Sequence, residues 1–430
     1  MANVANEGAS AKLPRWIRES GAGVDRQVTL LSLTSLVIML GSSIISPGLP
    51  LYAREFGVSY AGAGLLVSAF AFGRLAFDYV GGALADRMSP RLLTTGGALL
   101  TAFAAFLCGL ATSFEWLVFY RVIEGIGSAF YVITIMALFA RTVGPEQMGK
   151  AMGFYQSMIL LGVSFGPTIG GFVAETWGLR APFFVMAAFG VLVAALTWIL
   201  VRPEVRVHGK ATPRPPLSEV MRLVRRRPFV YVLVLTFYVF AIRAGTRSNL
   251  IPLYGGERGG LGASSIGIVL SAAAFANFVV LWHAGALIDR RGRQRITLPA
   301  LAATAILCFC FGLSPGFVNL LVVGTGLGIA LGYLAPAPAA MVADLTSREM
   351  LGAVIGVYRM AGDLGLLLGP VALGAVATSY GFEAAFFVGG AGALAALALG
   401  IGVPETLRPR TAEAHDVVTE ETTRAGSTPD

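Results

Sequence analysis

A pattern of glycines recurs in this chain 203 residues after its first appearance. The first copy reads G-x8-G-x3-G-P-x2-G-G, through Gly153, Gly162, Gly166, Pro167, Gly170 and Gly171. The second places Gly356, Gly365, Gly369, Pro370 and Gly374 at the same spacing, with Leu373 where Gly170 stands. The same offset carries Gly82 onto Gly285, Asp86 onto Asp289, Trp177-Gly178 onto Tyr380-Gly381 and Phe183-Phe184 onto Phe386-Phe387. A constant offset over so long a stretch requires two halves built to one plan.

Composition says where those halves sit. The 430 residues are 56% hydrophobic and 13% charged, with mean hydropathy +0.74. A soluble domain carries roughly 25% charged residues, so this chain cannot cover itself with a water-facing surface. Apolar runs long enough to cross a hydrocarbon core of roughly 30 Å fall at about 28–52, 60–84, 91–112, 115–140, 149–174, 181–201, 229–254, 263–287, 295–314, 317–343, 351–377 and 383–403. No strand-period pattern competes with them. The fold class is all-α and polytopic: twelve transmembrane helices in two pseudo-symmetric six-helix bundles. Paired halves in a bilayer are the plan of transporters, which hold a substrate site between them.

The net charge of +8 does not point to nucleic acid, because its distribution has another cause. Both tails and the loops after even-numbered runs carry most of the Lys and Arg outside the spans. Arg54, Arg180 and Arg258 are the ones in loops on the opposite side. That asymmetry predicts a multi-pass protein of the cell membrane with both termini in the cytoplasm. Cys108, Cys308 and Cys310 fall inside apolar runs and give neither a disulfide framework nor metal-ligand spacing. The first apolar run is a full span without a small-residue cleavage pattern, so no removable signal peptide is expected.

The organisation follows: an N-terminal tail at 1–27, a first bundle at 28–202, a linker at 203–228, a second bundle at 229–404 and a C-terminal tail at 405–430. The linker holds Pro203, Pro213, Pro215, Pro216 and Pro228 among many basic residues and cannot bury a core. Its end, 217–227, reads equally as a basic amphipathic helix on anionic headgroups or as a solvated segment. The polar C-terminal tail is expected to be disordered.

Two loop segments repeat a charged turn. One holds Gly82, Asp86, Arg87 and Arg91, and the other Gly285, Asp289, Arg290, Gly292 and Arg293. Span four carries Arg121, Glu124, Gly125, Gly127 and Ser128. With the paired Gly-Pro helices, this set resembles the major facilitator superfamily over nearly the whole chain. The glycine pattern of span five is similar to that of the superfamily's drug:proton antiporter branch. One departure stands out: Ser89 occupies the place that Gly292 holds in the second loop, where the family usually has glycine, so a less tight first turn is expected.

The resemblance implies that span two lies beside span eleven and span eight beside span five. Asp86 and Asp289 would then approach the N-termini of odd-numbered helices, whose partial positive charge favours a carboxylate. They would act as paired latches of a cytoplasmic gate. Ionisable residues inside spans are costly and functional by default. Here they are Arg74, Asp78, Arg121, Glu124, Arg243, Arg247, Arg359 and Asp363. At 1.5 Å per residue, Arg74 lies roughly 18 Å from the level of Asp86, and Asp363 roughly 17 Å from the start of span eleven. Spans two and eleven run in opposite directions, so Arg74 should meet Asp363 and Asp78 should meet Arg359. This quartet could neutralise buried charge, gate the halves or carry protons.

Spans one, four, seven and ten are implied to line a central cavity. That cavity would hold Arg121, Glu124, Arg243 and Arg247, with Ser43 and Ser46 of span one. Three arginines against one carboxylate make it electropositive. Glu124 is the first candidate for proton coupling, with Asp78 and Asp363 behind it. The stretch Gly144 to Lys150 nearly spells a phosphate-binding loop, but Ala151 replaces the required Ser or Thr and no strand precedes it. With no catalytic, metal or cofactor constellation, the expectation is a non-enzymatic secondary transporter without cofactor. It would act by alternating access, exporting a small organic molecule or drug in exchange for protons, and as a monomer. A proton symporter or facilitator importing an organic anion is the alternative.

Overall fold

The computed structural model describes residues 26–201, 217–347 and 350–407, without the side chains of 26–27, 79–83, 85–87, 140–141, 145–146 and 217. Among the described residues there are twelve helices long and apolar enough to cross a membrane, and no strand. In chain order they are Val28–Glu55, Tyr60–Asp78, Pro90–Gly109, Phe114–Phe139, Gln147–Trp177, Ala181–Leu200, Arg227–Arg258, Ala263–Arg291, Arg293–Phe311, Phe317–Leu345, Leu351–Tyr380 and Phe382–Ile401. They are called spans 1 to 12 below. The face bearing the loops after even-numbered spans is the linker face, and the opposite one is the far face.

Local chemistry sets the ends. Ser59, Ser89 and Ser113 each accept a hydrogen bond from the backbone N–H three residues on, capping spans 2, 3 and 4. Spans 5 and 11 stop at Gly178 and Gly381, with φ of +88° and +89°, a backbone setting that favours glycine. Ser89 and Gly292 solve the same turn differently. Ser89 stays at φ −65° and caps its own helix. Gly292 takes φ +107°, and the Glu405 carboxylate accepts from Arg293 N (2.7 Å) and Gln294 N (3.0 Å). Glu405 therefore corrects the expectation of a disordered tail at its first residue, because the exposed helix start gives it two amides to bind. The helix Leu217–Val224 forms inside the expected linker and buries Val220.

Three of the four spans implied to line the cavity are interrupted. Span 1 breaks between Ile44 and Leu49 around Pro47 and Gly48, and span 10 between Leu334 and Ala337 around Pro336. Proline removes a helix donor and crowds the preceding turn. Span 7 widens into π-helix at Arg243–Leu250 and Tyr254–Arg258, a local feature common at functional sites.

Glycine controls how the bundles meet, since in lipid close backbone approach replaces hydrophobic drive. A Cβ on Gly64 of span 2 would overlap the carbonyl of Pro370 in span 11, and one on Gly267 of span 8 the carbonyl of Pro167 in span 5. Gly374 is likewise pressed on Tyr60, and Gly171 on Ala263. Each contact is the image of the other under the 203-residue offset. Gly162, Gly166 and Gly170 of the same pattern pack span 5 on the backbone and side chains of span 1.

At the linker ends of these spans the halves part. A Cβ at Gly149, Gly153, Gly285, Gly352 or Gly356 would meet nothing within 4 Å. Among the described residues the halves meet at the far face and stand apart at the linker face.

Candidate functional site

Between the halves lies a cavity of two lobes, each about 210 Å³. Arg121, Glu124, Arg243, Arg247, Ser42 and Ser46 border the first, and Ser43 joins Arg243 and Arg247 on the second. The structure thus brings together all six residues expected there. Span 10 supplies none of the described lining, against expectation; its Leu327, Leu331 and Leu334 are buried in the larger apolar core, which takes residues from both halves.

Glu124 is fully buried and takes Arg121 Nη1 on both carboxylate oxygens, at 2.7 and 2.8 Å. The pair is three residues apart on one helix, where side chains share a face. Arg121 also lies over the Phe70 ring, 5.0 Å from its centre. Arg243 and Arg247 have no ion-pair partner among the described residues, so their charge is turned on the cavity. Ser43 is less available than its position implied. It donates to the carbonyls of Met39 (2.7 Å) and Gly162 (3.0 Å), joining span 1 to span 5. Ser248, one residue beyond Arg247, also faces both lobes, and its place on the widened turn had no signal in the sequence.

Below the cavity, Arg74 Nη2 donates to Asp363 Oδ1 at 2.9 Å across the bundle interface. Asp78 and Arg359 form no ion pair among the described residues, which corrects half of the expected quartet. Their level is nearer the linker face, where the halves have separated and Arg359 is exposed.

Of the charged turns, the surroundings of Gly82 and the side chains of Asp86 and Arg87 lie outside what is described. Arg91 stacks on the Trp198 ring at 4.1 Å. Asp289 is 68% exposed and pairs with Arg293 at 2.7 Å inside its own half; among the described residues it makes no bond to the start of span 5. Arg293 is held from the other side by Asp344 at 3.0 Å. Arg290 is exposed.

The far face holds a set of contacts that the expected site did not include. Arg54 Nε meets Glu257 Oε1 at 2.6 Å, and Tyr60 Oη donates to Glu257 Oε2 at 2.6 Å. Ser264 N, at the start of span 8, donates to Glu175 of span 5 at 2.8 Å. Ala61 N, at the start of span 2, donates to Thr378 of span 11 at 3.2 Å. The offset of 203 turns Arg54 into Glu257, Ala61 into Ser264 and Glu175 into Thr378, so the repeat itself was the available signal.

Comparison with known proteins decides the class. The family model of the Major Facilitator Superfamily matches residues 31–327 and again 284–426. The chain belongs to the Major Facilitator Superfamily. It is 26% identical to Multidrug resistance protein 2 of Bacillus subtilis over 79% of this chain and 86% of that protein. It is 28% identical to Multidrug resistance protein MdtG of Escherichia coli over 80% and 86%. Among solved structures, it resembles a bacterial homolog of the human lysosomal transporter Spinster in its inward-facing, unoccupied conformation. There the TM-score is 0.69 at 18% identity, over 87% of this chain and 94% of that one. The nucleoside transporter NupG gives 0.71 at 14% identity, over 88% and 98%. The fold is that of a superfamily transporter, and not that of an enzyme.

Proposed function

We propose that this protein exports small organic molecules across the cell membrane in exchange for protons, acting as a monomer with its linker face and both termini in the cytoplasm. The basic loops of the linker face support that orientation, and the multidrug-resistance relatives support efflux. The two six-helix bundles and the linker are read as the moving units. The observation that carries the proposal is Glu124, fully buried and chelated by Arg121 at the edge of the cavity. An ionised Glu124 accepts a hydrogen bond from a donor group of the substrate, while Arg243 and Arg247 take its acceptors. A proton on Glu124 withdraws that acceptor, so proton and substrate exclude each other, as exchange demands. Release on opposite faces then follows from rocking of the halves.

A second reading rests on the two arginines without ion-pair partners. An organic anion drawn to Arg243 and Arg247 would displace Glu124 from Arg121, and the freed carboxyl would take up a proton. Proton and anion would then travel together inward.

Reconstituted vesicles with an imposed pH gradient separate the two, using cationic, neutral and anionic dyes. Exchange predicts dye accumulation on the acidic side and loss of that accumulation in Glu124→Gln, with passive dye exchange retained. Accumulation of anions on the alkaline side, with no uphill movement of the other dyes, would overturn exchange in favour of the second reading. Uphill transport retained in Glu124→Gln would move coupling to Asp78 or Asp363.

A further inference from the structure

The repeat makes the two halves controls for each other, and at one crossing they differ. In the first half, spans 3 and 4 cross at Gly97 and Gly127, where a Cβ on either would lie 2.8 or 2.7 Å from the other's carbonyl. The offset puts Ala300 and Ala330 at the matching crossing of spans 9 and 10. There both positions carry a methyl group, and a groove of about 450 Å³ has both alanines in its lining. Leu287, Ile296, Ala303 and Leu307 continue its walls. Its lining includes the exposed apolar residues Pro299 and Ile329, so it opens toward the hydrocarbon of the membrane.

The linker-face end of the groove is cationic. Arg295, the first-turn residue that borders it, is exposed, as are Arg290 and Arg291 at the end of span 8. The nearby carboxylates are engaged elsewhere: Asp289 and Asp344 hold Arg293, and Glu405 caps the start of span 9. Among the described residues the three arginines have no ion-pair partner. From Arg295 to Leu307 the groove runs roughly 18 Å along the helix axis. One leaflet of hydrocarbon is about 15 Å deep, half of a core of about 30 Å. Tyr333, on the linker-face side of Ala330, is the other polar-tipped side chain of the lining.

We propose that this groove binds one anionic phospholipid of the linker-side leaflet, with an acyl chain between spans 9 and 10 and its phosphate on Arg295, aided by Arg290 and Arg291. A basic rim beside an apolar slot of leaflet depth fits that chemistry and no water-soluble ligand. The first half lacks the slot, since its crossing is shut, and Leu92 stands in place of Arg295.

Native mass spectrometry of the full-length protein in detergent, supplied with phosphatidylglycerol or phosphatidylcholine, tests this directly. The unmodified protein should retain one phosphatidylglycerol in preference to phosphatidylcholine. Arg295→Leu should cut that preference about fivefold, the effect of one basic side chain near a charged surface. Ala303→Phe should fill the slot and abolish retention of both lipids. If that variant fails to fold, Arg295→Leu still decides, because it places at an exposed site the residue the first half carries. Leu92→Arg adds an arginine where there is no slot and should retain no second lipid. Equal retention of the two lipids, an unchanged preference in Arg295→Leu, or a second lipid in Leu92→Arg would each overturn the proposal.

Discussion

At the far face each half reaches across to the other, whereas at the linker face the described charges stay at home. Glu175 accepts from the first turn of span 8 and Thr378 from the first turn of span 2, each crossing the interface. Asp289, in the charged turn of the opposite face, bonds only to Arg293 of its own half among the described residues. Both arrangements satisfy their polar groups. For a gate at these turns we propose that opening exchanges a partner in the other half for one in the same half, which would narrow the energy gap between states that a substrate or proton must bias.

The contrast can be broken most forcefully at the level between the faces. Asp363→Asn strands Arg74, and loss of a charged hydrogen bond should cost about 1.5–3 kcal/mol. Thermal unfolding in detergent should show a lowered midpoint, and adding Arg74→Gln should recover part of it. Asp78→Asn, at a residue without a described ion-pair partner, should lower it far less. Equal losses from both would mean that the open and closed levels of the interface are not distinct.

Next in size is the far-face seal. Gly171→Val drives a side chain into the Ala263 backbone, and overpacking of this kind costs about 1–3 kcal/mol. The contact belongs to the far-closed arrangement described above, and if rocking of the halves breaks it, the population of that state should fall about five- to hundredfold. A cysteine placed at Ser46 in the cavity should then react faster with an impermeant thiol reagent added from the far side. Gly153→Val, at the open end of the same helix, should leave that rate within about twofold, because nothing stands within 4 Å of the new side chain.

Smaller effects sharpen the picture. Glu257→Gln removes the partner of both Arg54 and Tyr60, and a partly exposed pair is worth about 0.2–1 kcal/mol. Far-side accessibility should rise by up to about fivefold, and the charge exchange Arg54→Glu with Glu257→Arg should restore most of it. Smallest is the split between the two crossing caps. Glu175→Gln should loosen the far face at low salt and do little at high salt, since screening already weakens a carboxylate at a helix start. Thr378→Ala should show no such salt dependence. A salt response shared by both would put the charge effect elsewhere.

How much of this was legible depends on what each feature needs. Spans need only apolar length, and the twelve runs lie where the twelve helices are. The meeting of Arg74 with Asp363 needed the helical rise and the pairing of spans 2 and 11, both available. Asp78 and Arg359 needed more, because whether they touch depends on how far the halves have rocked. The far-face contacts looked like ordinary loop polarity, since Arg54, Glu257 and Glu175 lie beside solvent and carry no local pattern. The widened turn of span 7 left no mark either, because a π-turn reflects how Arg243 and Arg247 are packed rather than which residues adjoin them.

Arg54 and Glu257 stand at equivalent places in the two repeats and touch across the axis that relates them. A pair of identical subunits would bring like against like there, arginine on arginine or glutamate on glutamate, and such a contact would repel. Opposite charges on that axis are possible only when the two copies differ in sequence, as they do within this chain. This salt bridge is thus a record of ancestry, a bond that no symmetric dimer of either half could make.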